Sequence, residues 1–458
     1  MYRFTYLQQY GYNVMMAGYN IFLTGNAGTG KSYLVNEFIN DVTKLGRKVM
    51  VLAPTGIAAM HVNGVTIHRQ FRIPTHPLVN FNIDKVDLDE LEATDIVILE
   101  EVSMCRIDIF DVLCRLIMRV NSNRYSRRKI QLIVCGDFFQ LPPVITEKEK
   151  PVLDKLYNKD IGSGFAFDSI YWDAFDFKNI ILTEVVRQSN IAFVQALNKV
   201  RLGDKSGIDY IYDNSAPYEL KNAITLCGTN KEADSINEKE LAKIESEEIE
   251  LLAEAYGDIN LSDTNAEFIL KIKLGARVMV LVNSNNFDYR NGSLGVITGI
   301  GPDAIRVKLD SGHSVMIERY TWETYRYEAT DVGGKKVLSI EQVGSITQFP
   351  IKLAYAMTIH KSQGQTYDAV NLSPYCWDCG QLYVSLSRVR TLDRLFLKYE
   401  IDRRYLVVSL NVISFFNKIV KSANKTIDTS INVWASEQPK TVDMTDDMAF
   451  IFSKLSNI

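Results

Sequence analysis

The segment that most restricts how this chain can fold is Gly25-Asn26-Ala27-Gly28-Thr29-Gly30-Lys31-Ser32, which matches the pattern GxxxxGK[ST]. It follows an apolar run, Ile21-Phe22-Leu23-Thr24, and precedes Leu34, Val35, Phe38 and Ile39 at helical spacing. Strand, glycine-rich loop and helix in that order make a cradle whose backbone N–H groups meet phosphate oxygens at a helix N-terminus. Gly25, Gly28 and Gly30, with Ala27 and Thr29 between them, are the expected wrap. Lys31 is expected to neutralise the terminal phosphates, and the Ser32 hydroxyl to ligate Mg²⁺. The expected ligand is a nucleoside triphosphate.

Continuous apolar runs are the pattern of buried parallel strands, and three more follow: Val49-Met50-Val51-Leu52, Ile96-Val97-Ile98-Leu99 and Leu132-Ile133-Val134-Cys135. Amphipathic segments between them give βα units in one doubly wound sheet. A second set begins near Ile180-Ile181-Leu182, includes Ile224-Thr225-Leu226-Cys227, and resumes after Ile346 with Leu353-Ala354 and Ala369-Val370-Asn371-Leu372. That implies a second α/β domain. From about 275 to 345, short strands such as Gly295-Val296-Ile297-Thr298 and Ile305-Arg306-Val307-Lys308-Leu309 alternate with turns at Asn291-Gly292, Gly301-Pro302 and Asp310-Ser311-Gly312. They predict a small β-barrel inserted in the second domain. The glutamate-rich stretch Ile244 to Ile249 is expected to be a solvated helix face, and the C-terminal end is polar without strong periodicity. The expected boundaries are 1–180 for the first domain with a small insertion at about 65–90, 181–274 with 346–420 for the second, 275–345 for the barrel, and 421–458 for a tail.

Composition narrows the function classes. The chain has 458 residues, 47% hydrophobic and 23% charged, which is ordinary globular usage. Its length suggests roughly three domains. No stretch approaches the ~18 uncharged apolar residues of a membrane span, and Met1-Tyr2-Arg3-Phe4 does not open an apolar secretion signal, so an intracellular, cytoplasmic protein is expected. The six cysteines lie among predicted core segments, as small buried hydrophobes in a reducing compartment; Cys376-Trp377-Asp378-Cys379 is a single CxxC without a second pair. A net charge of −4 excludes a protein that coats nucleic acid through bulk charge. Single strands can still be held in a locally basic cleft by stacking, and 23 Tyr and 21 Phe are available.

A P-loop enzyme also needs an acid at a strand end to hold the metal and another to orient water. Ile96–Leu99 ends in Glu100-Glu101. A further strand runs into Gly136-Asp137-Phe138-Phe139-Gln140-Leu141-Pro142-Pro143, where the Gln140 amide can hydrogen-bond the γ-phosphate and the prolines stiffen the loop.

In this order the motifs resemble those of the Pif (petite integration frequency) family of 5′-to-3′ DNA helicases, in the RecD-like branch of superfamily 1. The resemblance runs from Gln8 to about Leu397. It is carried by Gly25 to Ser32, Ala53-Pro54-Thr55-Gly56-Ile57-Ala58-Ala59, Gly136 to Pro143, Gln348 to Gly364, and Gly380-Gln381-Leu382-Tyr383-Val384-Ser385-Leu386-Ser387-Arg388. It implies two RecA-like P-loop domains, with a small duplex-splitting insertion around Phe71-Arg72-Ile73-Pro74 in the first and a Src-homology-3-like β-barrel in the second. It also implies an ATP- and Mg²⁺-dependent motor that works as a monomer on single-stranded DNA and forked duplex DNA, without a membrane, in replication, recombination, repair or telomere maintenance.

The resemblance assigns roles that spacing alone does not. Gln8 corresponds to the glutamine that reads the adenine edge, and Gly364 lies among the nucleotide contacts. Glu101 orients water, and Arg187 and Arg388 correspond to arginine fingers from the second domain. Strand contacts fall on Pro54, Thr55, Gly56, Thr66, His68, Thr229, Asn230, Thr358, His360 and Ser362. The family writes Asp-Glu where this chain has Glu100-Glu101, so the metal-side carboxylate is one methylene longer. Two other readings stay open: an ATP-gated single-strand-binding protein with impaired hydrolysis, motivated by Glu100, and an RNA-directed helicase.

Overall fold

The computed structural model describes residues 4–79, 81–122, 129–185, 190–221, 223–257, 259, 267–284, 288–289, 291–332 and 335–434. The first sheet contains β1 (Ile21–Gly25), β2 (Val49–Ala53), β3 (Val65–Thr66), β4 (Ile96–Leu99), β5 (Gln131–Cys135) and β6 (Lys178–Leu182), in the spatial order β3-β2-β4-β5-β1-β6. Every pairing in it is parallel. Parallel sheets are covered on both faces, and β1, β4 and β5 are buried throughout. Ile21 and Leu23 face the core formed with Met15, Leu34 and Phe38, while Phe22 between them joins Phe110 and Leu113 on the other face. Strand alternation thus divides one apolar run between two layers.

The expected second set of strands began near Ile180, but Lys178–Leu182 is the edge strand of the first sheet, in register with Ile21–Gly25. The second sheet has four parallel strands in the order Ala356–Thr358, Ile224–Cys227, Val370–Leu372, Leu395–Leu397. Its core includes Phe193, Leu197 and Val200 from the helix Ile191–Arg201.

Between the second sheet's strands lies an all-β region that starts well before residue 275. Glu248–Leu252 pairs antiparallel with Ile269–Lys273, so the glutamate-rich segment is not a helix face: the preceding helix ends at Ala242. Ile249 and Leu251 turn towards Leu270 and Ile272 while Glu248 and Glu250 alternate away, a period of two that specifies a strand. Five antiparallel strands follow, in the order Ser314–Glu318, Ala304–Leu309, Leu294–Ile300, Arg277–Val280, Ile351–Leu353. A long hairpin, Tyr320–Val332 with Lys335–Gln348, reaches the helix Asp89–Ala93 of the first domain.

The final helix, Leu410–Trp434, crosses the expected boundary at 420/421 and returns to the first domain. Val412, Phe416, Ile419 and Val420 enter the first core, and Phe415 stacks on Phe167 with ring centroids 4.4 Å apart. Among the described residues no helix is long and apolar enough to cross a membrane.

One buried ion pair joins the two α/β halves. Arg201, at the end of its helix, donates from Nε to Asp137 Oδ2 at 3.1 Å and from Nη2 to Asp137 Oδ1 at 2.8 Å. Asp137 is fully buried and Arg201 is 4% exposed, and the guanidinium lies 4.1 Å from the Phe139 ring centroid and 4.9 Å from that of Phe416. Removing one partner of such a pair leaves a buried charge unmatched, which typically costs about 3–5 kcal/mol. Arg201→Ala is therefore expected to lower the thermal midpoint of the ligand-free protein sharply, and Asp137→Asn/Arg201→Met together to recover much of the loss; differential scanning calorimetry of the three proteins checks this.

Candidate nucleotide and strand site

The glycine-rich loop leaves β1 at Gly25 and enters the helix Lys31–Lys44. Gly25 has φ of 154°, and a Cβ there would lie 2.3 Å from the Leu182 carbonyl oxygen; Gly30 caps the helix at φ of 77°, where a Cβ would meet Gln8 Nε2 at 2.6 Å. Neither position accepts a side chain. Gln8 is buried, with Nε2 donating to the Thr29 carbonyl at 3.0 Å and Oε1 accepting from Thr5 N at 3.0 Å. It therefore braces the loop from the first helix, Tyr6–Met16, and both ends of its amide are engaged. Lys31 Nζ donates to the carbonyls of Gly25 at 2.9 Å and Asn26 at 3.1 Å, above the loop where terminal phosphates would sit.

At the end of β4, Glu100 and Glu101 diverge. Glu100 is 3% exposed and its Oε1 is buried without a hydrogen-bond partner. Burial, and then the neighbouring Glu101 charge, push its carboxyl up to about 7, against the Cys135 thiol and Lys31. Glu101 has φ of 51°, uncommon for a residue with a Cβ, and this turns its carboxylate into the cleft, where Oε2 accepts from Gln363 Nε2 of the second domain at 3.1 Å. Gln140 is buried at the edge of the same interface, and Gly380 packs so closely on the Phe139 and Gln140 carbonyls that a Cβ would meet them at 2.4 and 2.5 Å.

A single cleft of about 1750 Å³ is lined by Ser32, Thr55, Glu100 and Glu101 from the first domain and by Thr229, Asn230, Thr358, His360 and Gly364 from the second. Thr229 caps the helix Asn230–Ala242, accepting from Glu232 N at 3.2 Å, so that helix N-terminus opens on the cleft. Pro54 is half-buried and Gly56 buried where β2 passes into the helix Gly56–His61. Burial lowers the proton affinity of His360 below the ordinary histidine value, against the pull of Asp378.

Other expected contacts are turned elsewhere. The Ser362 hydroxyl is fully buried and donates to the Ile359 carbonyl at 2.7 Å. Thr66 is buried as the cap of Ile67–Gln70, and His68 Nδ1 lies 3.1 Å from the Ile73 carbonyl. Arg388 is 1% exposed, and its guanidinium donates to the carbonyls of Val384, Ser362 and Gln365 and to the Ser387 hydroxyl, all within its own domain. Arg187 lies outside the described residues.

Comparison with known proteins decides what this arrangement belongs to. A family model described as PIF1-like helicase matches residues 6–207. The ATP-dependent DNA helicase Pif1 of Campylobacter jejuni is 30% identical over 439 residues, covering 87% of this chain and 94% of that protein. The chain belongs to the PIF1-like helicases. Among solved structures, Pif1 from Bacteroides sp in complex with ADP-AlF4 superposes with a TM-score of 0.79 at 31% identity, covering 92% of this chain and 98% of that one. Bacteroides Pif1 bound to ssDNA gives a TM-score of 0.65 at 31% identity, with 92% and 97% covered.

Within this PIF1-like chain, four groups at the site escape motif reading. The Ala27 N–H donates to the Tyr383 hydroxyl of the second domain at 2.9 Å, a contact across 356 residues. Burial, then Asp137, push the Tyr383 hydroxyl up to about 12. Gln363, Arg201 and Gln381 likewise act between segments far apart in the chain. Gln363, Tyr383 and Gln381 do lie inside quoted motifs, but nothing local to those motifs specifies their partners.

Glu100 gives a pH test. Its folded-state affinity for a proton exceeds the ordinary value of 4.5, so the folded chain binds more protons than the unfolded chain between about 4.5 and about 7. Stability of the protein without nucleotide or metal should therefore fall as pH rises through that window, by on the order of 3 kcal/mol in all. Glu100→Gln is expected to flatten the profile, as read by urea unfolding at pH 5, 6 and 7.5; an unchanged slope would contradict the assignment.

Proposed function

We propose that this chain is an ATP-dependent DNA helicase that moves 5′ to 3′ along single-stranded DNA and parts the duplex ahead of it. The observation that carries this reading is the shared cleft: Ser32, Glu100 and Glu101 line it from the P-loop sheet, and Thr229, Thr358 and His360 line it from the second sheet. The relatives support the activity, being ATP-dependent DNA helicases, and solved Bacteroides Pif1 structures contain ADP-AlF4 or ssDNA. The all-β region serves as the Src-homology-3-like module, with residues 1–182 and the C-terminal helix as one motor domain. The remaining α/β segments form the other. We read the chain as an intracellular monomer acting at single strands and forks.

Chemically, the site fits Mg²⁺, because the Ser32 hydroxyl and the Glu100 carboxylate supply hard oxygen donors and Glu100 Oε1 is buried without a partner. Held by Ser32 and Glu100, Mg²⁺ would supply positive charge that offsets the charge of the phosphates. Lys31 leaves the Gly25 and Asn26 carbonyls for the phosphates, and the loop amides orient them. Glu101 accepts the proton of the attacking water, and its bond to Gln363 ties that step to the second domain. Gln140 holds the γ-phosphate. Gln8 is set beside Thr29 and reaches the adenine edge only if its amide turns from that carbonyl. Arg187 and Arg388 serve as fingers, and for Arg388 this requires release from the Ser362 and Gln365 carbonyls. The strand runs past Thr55, Thr229, Asn230, Thr358 and His360 and is held by its phosphates, so its sequence is not read.

Three measurements test this. Phosphate release should rise strongly when single-stranded DNA is added, whereas an ATP-gated binding protein would release phosphate at the same low rate with or without it. Duplexes with a 5′ single-stranded tail should be unwound and those with a 3′ tail should not; matched RNA tails separate the RNA-directed alternative. Glu101→Gln should keep ATP and DNA binding while lowering kcat by ~10² or more, since an amide cannot take the proton. Turnover near the wild-type rate would remove Glu101 from the role of base.

A further inference from the structure

Of the tryptophans whose side chains are described, Trp172 is 5% and Trp322 is 6% exposed, but Trp377 is 64% exposed. An indole left in water on an otherwise well-packed loop has no folding rationale, because its neighbour Cys376 is 1% exposed and already anchors the loop in the second core. Trp377 lines the same cleft as Thr229, Asn230, Thr358 and His360. Its ring centroid is 6.4 Å from that of His360, with an interplanar angle of 31°, so the two rings present neighbouring, roughly aligned faces.

The loop is held rigidly. Fully buried Gln381 accepts with Oε1 from the N–H groups of Trp377 at 2.9 Å and Asp378 at 3.2 Å, and donates from Nε2 to the Gly228 carbonyl at 3.3 Å. Asp378 Oδ1 accepts from Cys379 N at 2.7 Å. One amide thus fixes the indole relative to Thr229 and the helix N-terminus beside it. A pre-set aromatic face costs little ordering when a ligand arrives.

We propose that Trp377 is a stacking platform for one base of the single strand, set beside His360 and positioned by Gln381; this rests on the reading that the cleft carries the strand. Stacking tolerates any base because every base has a π-face, which suits a motor that must pass over all sequences. The phosphates of the same nucleotides would meet Thr229 and the helix N-terminus at Asn230, so one base and its backbone are gripped from opposite sides of a single braced unit.

The test uses the full chain and fluorescently labelled oligothymidylates, intact or carrying one abasic tetrahydrofuran site moved along the strand. Wild-type protein should lose roughly 10-fold in affinity when the abasic site reaches one particular position, in the range of a single stacked base. Trp377→Ala should bind the intact strand roughly 10-fold more weakly and show no further loss at that position, and Trp377→Phe should restore most of both effects. If Trp377→Ala binds intact strands as tightly as wild type, or if its loss adds to that of the abasic site at every position, the proposal is overturned. Failure of the wild-type protein to bind the intact strand at all would instead overturn the reading of the cleft.

Discussion

The bonds between Asp137 and Arg201 set the relation of the two α/β halves. A carboxylate with no exposure and a guanidinium with 4% would each be strongly destabilising alone. Their bidentate geometry, the Phe139 ring at 4.1 Å and the Phe416 ring at 4.9 Å satisfy them together. Asp137 follows the P-loop sheet's β5, Arg201 ends a helix of the second core, and Phe416 belongs to the C-terminal helix that returns to the first. Three distant stretches of chain therefore meet at one charge pair.

From that fixed point the catalytic parts are strung across the interface. The P-loop amide of Ala27 is occupied by the Tyr383 hydroxyl, so a phosphate oxygen that takes this N–H competes with a group on the helix Gln381–Leu386. The same helix carries Gln381, which braces Trp377 and Gly228. Glu101 is tied to Gln363, which lies between Ser362 and Gln365, whose carbonyls Arg388 clasps. On the proposed reading, nucleotide and strand would touch opposite ends of short, packed segments, which is the physical requirement for coupling hydrolysis to movement.

Much of this was readable from the sequence where the signal is local. Apolar runs mark β1, β2, β4 and β5, and the GxxxxGK[ST] pattern marks the turn from β1 into the helix Lys31–Lys44, because strand, loop and helix each leave a pattern in consecutive residues. An apolar run does not state which sheet it joins, so Lys178–Leu182 belongs to the first sheet although its sequence alone suits the second set. The glutamates of Ile244–Ile249 suggest a solvated helix, but the alternation of Ile249 and Leu251 with Glu248 and Glu250 is that of a strand. Ser362 and Arg388 sit within recognisable motifs and Thr66 is assigned by the resemblance, yet their side chains are turned into carbonyl and capping bonds that depend on the packed fold. Arg201 and Trp377 carry no local signal, since a buried pair is defined by a partner 64 residues away and an exposed indole by what the packed fold leaves uncovered.

If one interface serves both nucleotide and strand, binding of one changes binding of the other. The direct measurement is the dissociation constant of a single-stranded oligonucleotide without nucleotide and with a saturating non-hydrolysable ATP analogue, together with that of the analogue with and without the strand. The account predicts a change of several-fold or more that is equal in both directions, as linkage requires. Dissociation constants for each ligand that do not respond to the other would contradict it.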